Sequence, residues 1–212
     1  MNMIASVLNL DRLSIKALSI TDPYSLHRVV YSLFEDTRTH EQKERSISSG
    51  ILFADQGGYF YSRTILLLSD RTPAERVDGQ YGEVFSKPVS ESFLNHDTYR
   101  FKTIVNPTRR DSASKKLIAV KGRNSIHAWF NERAHTSWGF SVDVQNLQVD
   151  NVEVLQFKDK ERRQVTISQA YVQGVLSVTN REQFISSFKH GIGRAKSFGC
   201  GLLQIVPIVN QA

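Results

Sequence analysis

Apolar residues recur along this chain in two rhythms, one of strand type and one of helix type. Residues 3–10 are apolar on both sides and read as a central first strand. A helix opens at Asp22 and Pro23, with Asp22 as N-cap and Pro23 in the first turn. Leu26, Val29, Val30 and Leu33 form its apolar stripe, while Tyr24, His27, Arg28 and Tyr31 fall on the opposite face. Residues 35–49 are charged and read as a loop. Residues 50–54 and 59–68 pair as strands around the turn 55–58. Residues 71–92 carry a weak helical pattern, and 99–105 is a strand that Asn106 and Pro107 end.

A second series follows. Residues 115–121 read as a strand and 124–134 as a helix with Ile126, Trp129 and Phe130 on one side. Residues 139–144 and 152–157 are short strands. The long strand 164–178 changes apolar phase between Ile167 and Val172, which predicts a bulge. Thr179 and Glu182 stand in capping-box relation before a helix carrying Phe184, Ile185 and Phe188. Gly191 ends that helix, and 202–206 is the last strand. Strand, helix, two strands, weak helix and strand thus occur approximately twice. The expected fold is α+β, two tandem ferredoxin-like (βαββαβ) domains, over residues 1–108 and 113–212.

Length and composition set the outer limits. With 212 residues, 40% hydrophobic and 23% charged, the chain has enough length for a substantial core. Its one cysteine, Cys200, excludes an intrachain disulfide and a cysteine-based zinc site. No apolar run approaches the roughly 20 residues that span a bilayer, and no basic-then-apolar leader opens the chain. The expectation is an intracellular, cytoplasmic protein with no membrane partner.

Charge narrows the picture further. The net formal charge is +6, which favours an anionic partner. Arg109, Arg110, Lys115, Lys116, Lys121 and Arg123 are opposed only by Asp111, and so concentrate most of that charge in one stretch. Lys158, Lys160, Arg162 and Arg163 form a second group, diluted by Asp159 and Glu161. A third lies in residues 191–207, where Gly191, Gly193, Gly199 and Gly201 are interleaved with Arg194 and Lys196. Glycine permits close backbone approach, and free amides beside cations suit phosphate. The same glycines also suit a helix cap and a tight turn, and their number alone leaves both readings open. Three basic groups together favour RNA or DNA. A membrane surface fits less well, because no basic amphipathic helix accompanies the charge.

A histidine on a helix is more often structural than catalytic. His27 is raised by its company, with Tyr24 one turn back and Arg28 beside it on a polar face. Imidazole moves protons near neutral pH, as in-line RNA cleavage requires. No carboxylate cluster suited to two metal ions is evident in the sequence, so nuclease chemistry here is expected to need none. His127 and His135 lack a third ligand and read as structural.

Residues 23–28, Pro-Tyr-Ser-Leu-His-Arg, resemble the catalytic helix of the CRISPR repeat-processing endoribonucleases of the CasE type. Residues 100–107 resemble that family's strand ending in Asn-Pro, and 174–178 with 191–203 its closing strand and glycine-rich loop. The glycine-rich loop is the most specific of these, and coverage is thin over 36–95. The resemblance implies tandem ferredoxin-like domains and cofactor-free, metal-independent cleavage of CRISPR precursor RNA at the base of the repeat hairpin. It further implies that the product stays bound and that the chain joins the other subunits of a Cascade-type surveillance complex.

By that resemblance His27, Tyr24 and Arg163 are catalytic, with Arg162 the next match for the third. The family often has lysine there, so arginine is a departure. Arg28, the two basic clusters, Gly191, Gly193, Arg194 and Lys196 are the expected RNA contacts. The alternatives are a guide-RNA-binding subunit that does not cut and, more distantly, a protein–protein adaptor with incidental basic surface.

Overall fold

The computed structural model describes residues 3–39, 41–42, 48–58 and 62–209. They divide into two compact units. The first takes the residues through Val89 together with Ser197–Gly199; the second runs from Ser90 to Lys196 and resumes at Cys200.

The first unit contains β1 (Ile4–Asp11), α1 (Arg12–Ala17), α2 (Pro23–Ser32), β2 (Ile51–Asp55), β3 (Ser62–Ser69) and β4 (Glu83–Pro88). Its sheet runs β2-β3-β1-β4 with every neighbour antiparallel, the split order of a ferredoxin-like fold. β1 is central, as its two-sided apolar pattern predicts. Leu8, Leu10, Ile65, Leu67 and Phe53 from the strands pack with Leu26, Val29 and Val30 of α2. Burying each such side chain contributes roughly 1.5–3 kcal/mol. Asp22 caps α2 by accepting from the Ser25 amide at 2.7 Å, and Ser25 Oγ accepts from the Asp22 amide at 2.9 Å, a closed capping box.

The second unit opens with a 3-10 turn (Glu91–Leu94) and β5 (Thr98–Val105). A small ribbon of β6 (Thr108–Arg110) and β7 (Leu117–Ala119) follows, then α3 (Arg123–Arg133) and β8 (Phe140–Val142). β9 (Gln148–Lys158), β10 (Gln164–Val178), α4 (Arg181–His190) and β11 (Gln204–Pro207) complete it. The sheet runs β11-β5-β10-β8, with β9 also paired along β10. The register of β9 on β10 shifts between Ala170 and Val172, where the change of apolar phase predicts a bulge. Phe101 and Phe130 stack with centroids 5.5 Å apart inside an aromatic core that includes Trp138, Phe140 and Phe184.

Several expectations are corrected. Residues 71–82 are not helical: Pro73, Gly79 and Gly82 interrupt any helix, and Asp78 and Gly79 turn at φ +51° and +74°. Residues 83–88 of that weak pattern are strand β4. The strand 99–105, expected to close a first domain ending at 108, lies in the second sheet between β10 and β11. The structure therefore divides after Val89. Residues 115–121, expected to begin the second sheet, supply only β7 of the two-stranded ribbon. Short strands take their place from long-range partners, which local pattern does not reveal. The cap of α4 is Asn180, accepting from the Gln183 amide at 3.0 Å, instead of Thr179. Helix α1 has no counterpart in the sequence reading. Residues 59–61 of the expected second hairpin strand, and 40 and 43–47 of the expected loop, lie outside the described residues.

Candidate functional site

His27 lies midway along α2, half-buried on the face opposite the core stripe. Its Nδ1 is 2.8 Å from the carbonyl oxygen of Ser197. Three rings surround the imidazole. Tyr31, one turn on, has its centroid at 4.1 Å; Phe198 is at 5.7 Å and Tyr24 at 6.1 Å. The helical spacing of Tyr24, His27 and Tyr31 brings them onto one face. Burial lowers the His27 pKa below its ordinary value; the Ser197 carbonyl opposes that shift, and the Arg38 charge reinforces it.

Ser197 and Phe198 belong to a 3-10 turn (Lys196–Phe198) inside the glycine-rich stretch. Gly199 follows with φ +83°, and a Cβ there would lie 3.2 Å from the Phe53 ring of β2. Glycine at 199 thus seats the turn against the first unit's core. The Tyr31 hydroxyl meets Ser49 Oγ at 2.9 Å. The Ser49 carbonyl accepts from Arg71 at 2.9 Å, and Arg71 also donates to the Glu35 carbonyl at 3.0 Å and Asp70 at 2.7 Å.

The remaining glycines divide between the two readings of the loop. Gly201, at φ +85°, serves packing: its amide donates to Ile104 O, and an added Cβ would lie 2.3 Å from the Ile192 carbonyl. Gly191 caps α4 at φ +74°. Gly193, at φ +69°, faces open space. Among the described residues, the amides of Gly193, Arg194 and Ala195 have no hydrogen-bond partner, so this part of the loop presents free donors beside the exposed Arg194. The Lys196 ammonium donates to His190 O at 2.7 Å, and burial lowers its pKa.

The two basic clusters also take shape. Arg109 and Arg110 on β6 and Lys115 and Lys116 in the connection to β7 share one exposed ribbon, with Arg110 donating to Lys115 O at 2.8 Å. Lys121 precedes α3, and Arg123, at its start, donates to Asp150 O at 2.8 Å. Lys158, Lys160, Arg162 and Arg163 gather at the β9–β10 tip. Arg163 is not a bare cation there, because it pairs with Asp159 and Glu161, each at 2.8 Å. Arg162, at φ +61°, has no ion pair among the described residues.

Sequence reasoning missed Arg100 and Lys102. They alternate with buried Tyr99, Phe101 and Thr103 on β5 and stand exposed on the second sheet, Lys102 in register with Gln173 and Gln204 and Arg100 with Val175 and Val206. Their alternation is the signal, legible once 99–105 is known to be a central strand. Ser197 acts through its carbonyl, for which no sequence signal exists. Among the described residues no group of three or more His, Cys, Asp or Glu side chains is placed to hold a metal ion, and no helix is long and apolar enough to cross a membrane.

A family model described as CRISPR associated protein matches residues 1–207. The chain belongs to that family. The CRISPR-associated endoribonuclease Cse3 of Thermus thermophilus is 26% identical over 200 residues, covering 89% of this chain and 92% of the relative. A structure of Cse3 bound to a 19-nucleotide RNA superposes with TM-score 0.78 at 22% identity, over 97% of this chain and 99% of that one. Cas6e of Escherichia coli, at TM-score 0.61 and 21% identity, covers 97% of this chain and all of its own. A chain of a CRISPR RNA-guided surveillance complex aligns with TM-score 0.67 at 17% identity, over 97% of this chain and 100% of its own. The fold likeness and the family membership bear out the resemblance read from residues 23–28, 100–107 and 191–203.

Proposed function

We propose that this CRISPR associated protein is an endoribonuclease that cuts CRISPR precursor RNA at the base of the repeat hairpin and stays bound to the guide as a subunit of a Cascade-type complex. The observation that carries the reading is His27, a partly desolvated imidazole tethered at one nitrogen and ringed by aromatic side chains, in a basic member of this family. The upstream ribose 2′-hydroxyl attacks the scissile phosphate, and His27 handles the proton as general acid–base catalyst. Tyr24 orients the nucleotide. The products are a 2′,3′-cyclic phosphate and a 5′-hydroxyl, and no metal ion takes part. Arg163 offsets charge on the phosphate, a role that requires the RNA to replace Asp159 and Glu161 as its partner.

The free amides of Gly193 and Arg194, the Arg109–Lys116 ribbon, Lys121, Arg123, Arg28 and the β9–β10 tip hold the hairpin through phosphates. An A-form stem hides its base edges, so sequence is read at the stem base and flanking single strand. The carboxylates on Arg163 favour a second reading, in which the chain holds the guide without cutting. Incubating the purified protein with a labelled repeat hairpin in EDTA separates the two. A single cut at the hairpin base with a cyclic phosphate end supports the endonuclease. Tight binding with no cut supports the guide-holding subunit.

A further inference from the structure

His27 has two ring nitrogens, and only one is available to substrate. Nδ1 faces the Ser197 carbonyl at 2.8 Å. A carbonyl oxygen accepts and never donates, so Nδ1 carries the hydrogen in the neutral ring as well as in the imidazolium. The neutral ring then has its lone pair at Nε2. That is the minor tautomer of a free histidine side chain in water, so the protein must select it. The hydrogen bond made by one ring nitrogen sets which of the two works.

Two neighbouring rings brace the orientation. Tyr31 lies 4.1 Å from the imidazole centroid and is itself held through Ser49 Oγ at 2.9 Å. Ser49 is fixed in turn by Arg71. Phe198, the residue after the tethering carbonyl, lies 5.7 Å from the ring. Gly199 seats that same turn against Phe53. Rotation of the imidazole about its Cβ–Cγ bond would therefore break the Ser197 hydrogen bond and disturb its contacts with Tyr31 and Phe198.

We propose that the Ser197 carbonyl, with Tyr31 and Phe198 as braces, locks His27 as the Nδ1–H tautomer, so that Nε2 is the base that takes the proton of the attacking 2′-hydroxyl. This rests on the endonuclease reading for its second half only. As O2′ bonds to phosphorus, its proton passes to Nε2 and the P–O5′ bond breaks. The departing 5′-oxygen takes a proton from water, and the imidazolium returns its Nε2 proton to the hydroxide so formed. Ser197, Tyr31 and Phe198 are positioning residues in this scheme, since they act through His27.

The test begins with the full-length protein labelled with ¹⁵N-histidine. Long-range ¹H–¹⁵N correlation is recorded at a pH where His27 is neutral, and its signals are assigned by their loss in His27→Gln. The expected pattern is a protonated, pyrrole-type Nδ1 and a pyridine-type Nε2. A protonated Nε2 overturns the proposal. Single-turnover cleavage and hairpin affinity are then measured for Phe198→Leu and Tyr31→Leu, each checked for a cooperative melt.

Loss of the single-tautomer pattern, with cleavage down about tenfold or more at unchanged affinity, supports the positioning role, because small misplacements of a reacting group cost on that order. A lost pattern with wild-type cleavage overturns that role. Should one variant fail to fold, the other and the wild-type spectrum still decide. A wild-type protein that shows the Nδ1–H pattern but never cuts overturns the base assignment and the endonuclease reading while leaving the tautomer lock standing. Cleavage with a protonated Nε2 overturns both the tautomer lock and the Nε2 base assignment while leaving the endonuclease reading standing.

Discussion

At the scale of single residues, the environment of His27 alters its chemistry. Burial and the Arg38 charge both disfavour its imidazolium, against the weaker support of the Ser197 carbonyl. The sign follows directly. A depressed pKa keeps the base form present at lower pH, and activity is lost only as pH falls through the depressed value. The acid limb of kcat/KM for cleavage is expected below the ordinary histidine value of about 6.5. Arg38→Ala removes a cation that opposes protonation, so it moves that limb to higher pH; a limb that stays put or moves down contradicts this electrostatic account. His27→Ala is expected to reduce cleavage by about 10²–10⁴-fold while leaving hairpin binding nearly intact. Equal loss of binding and cutting would make His27 an RNA-binding residue instead. Cys200 sits inside the glycine-rich stretch yet is fully buried beside Gln169, and burial pushes its thiol up to about 12. It is a packing residue, not a nucleophile.

At the scale of elements, two hairpins and one loop carry the surface chemistry. The β6–β7 ribbon brings together Arg109, Arg110, Lys115 and Lys116, which a linear reading sees only as a charge run. Arg109→Ala with Arg110→Ala is expected to weaken hairpin binding at low salt. It should also flatten the log–log salt dependence by roughly 0.7–0.9 for each phosphate no longer neutralised. An unchanged slope would show that these arginines do not touch phosphate. In the glycine-rich loop, Gly201 and Gly193 have different jobs despite equal identity. Gly201→Ala sets a Cβ against the Ile192 carbonyl at positive φ. It is expected to cost roughly 1–3 kcal/mol in chemical denaturation. Gly193→Ala meets no neighbour and bears only the strain of its φ, so it should cost less in stability. The reverse ranking would mean that the loop is not packed as described.

At the scale of the whole molecule, two ferredoxin-like units build their sheets from differently spaced segments. Thr98–Val105 lies between β10 and β11, so it belongs to the middle of the second sheet. A fragment of residues 113–212 lacks that strand and is expected to show no cooperative thermal transition by circular dichroism. A fragment of 90–212 retains all the strands of the second sheet and is expected to melt cooperatively. A cooperative melt of the shorter fragment would restore the boundary near 108. The first unit includes Ser197–Gly199, contributed from far along the chain. Truncation after Val89 therefore removes the Nδ1 partner of His27 even though every strand of the first sheet remains.

Much of this protein was legible in its residues alone. Asp22 and Pro23 start α2, the 3.6-residue period separates Leu26, Val29 and Val30 from Tyr24, His27 and Tyr31, and the phase change in 164–178 marks the bulge. These are local effects, set by backbone sterics, capping and alternation, so sequence determines them without reference to distant partners. Tertiary structure decided the rest. Residues 99–105 have the same alternation in either sheet, and only their long-range pairing with β10 and β11 assigns them to the second. Arg163 reads as a free cation until the turn brings Asp159 and Glu161 onto its guanidinium. The tether on His27 is a backbone carbonyl 170 positions away, and since every residue has a carbonyl, only the fold determines which one it meets.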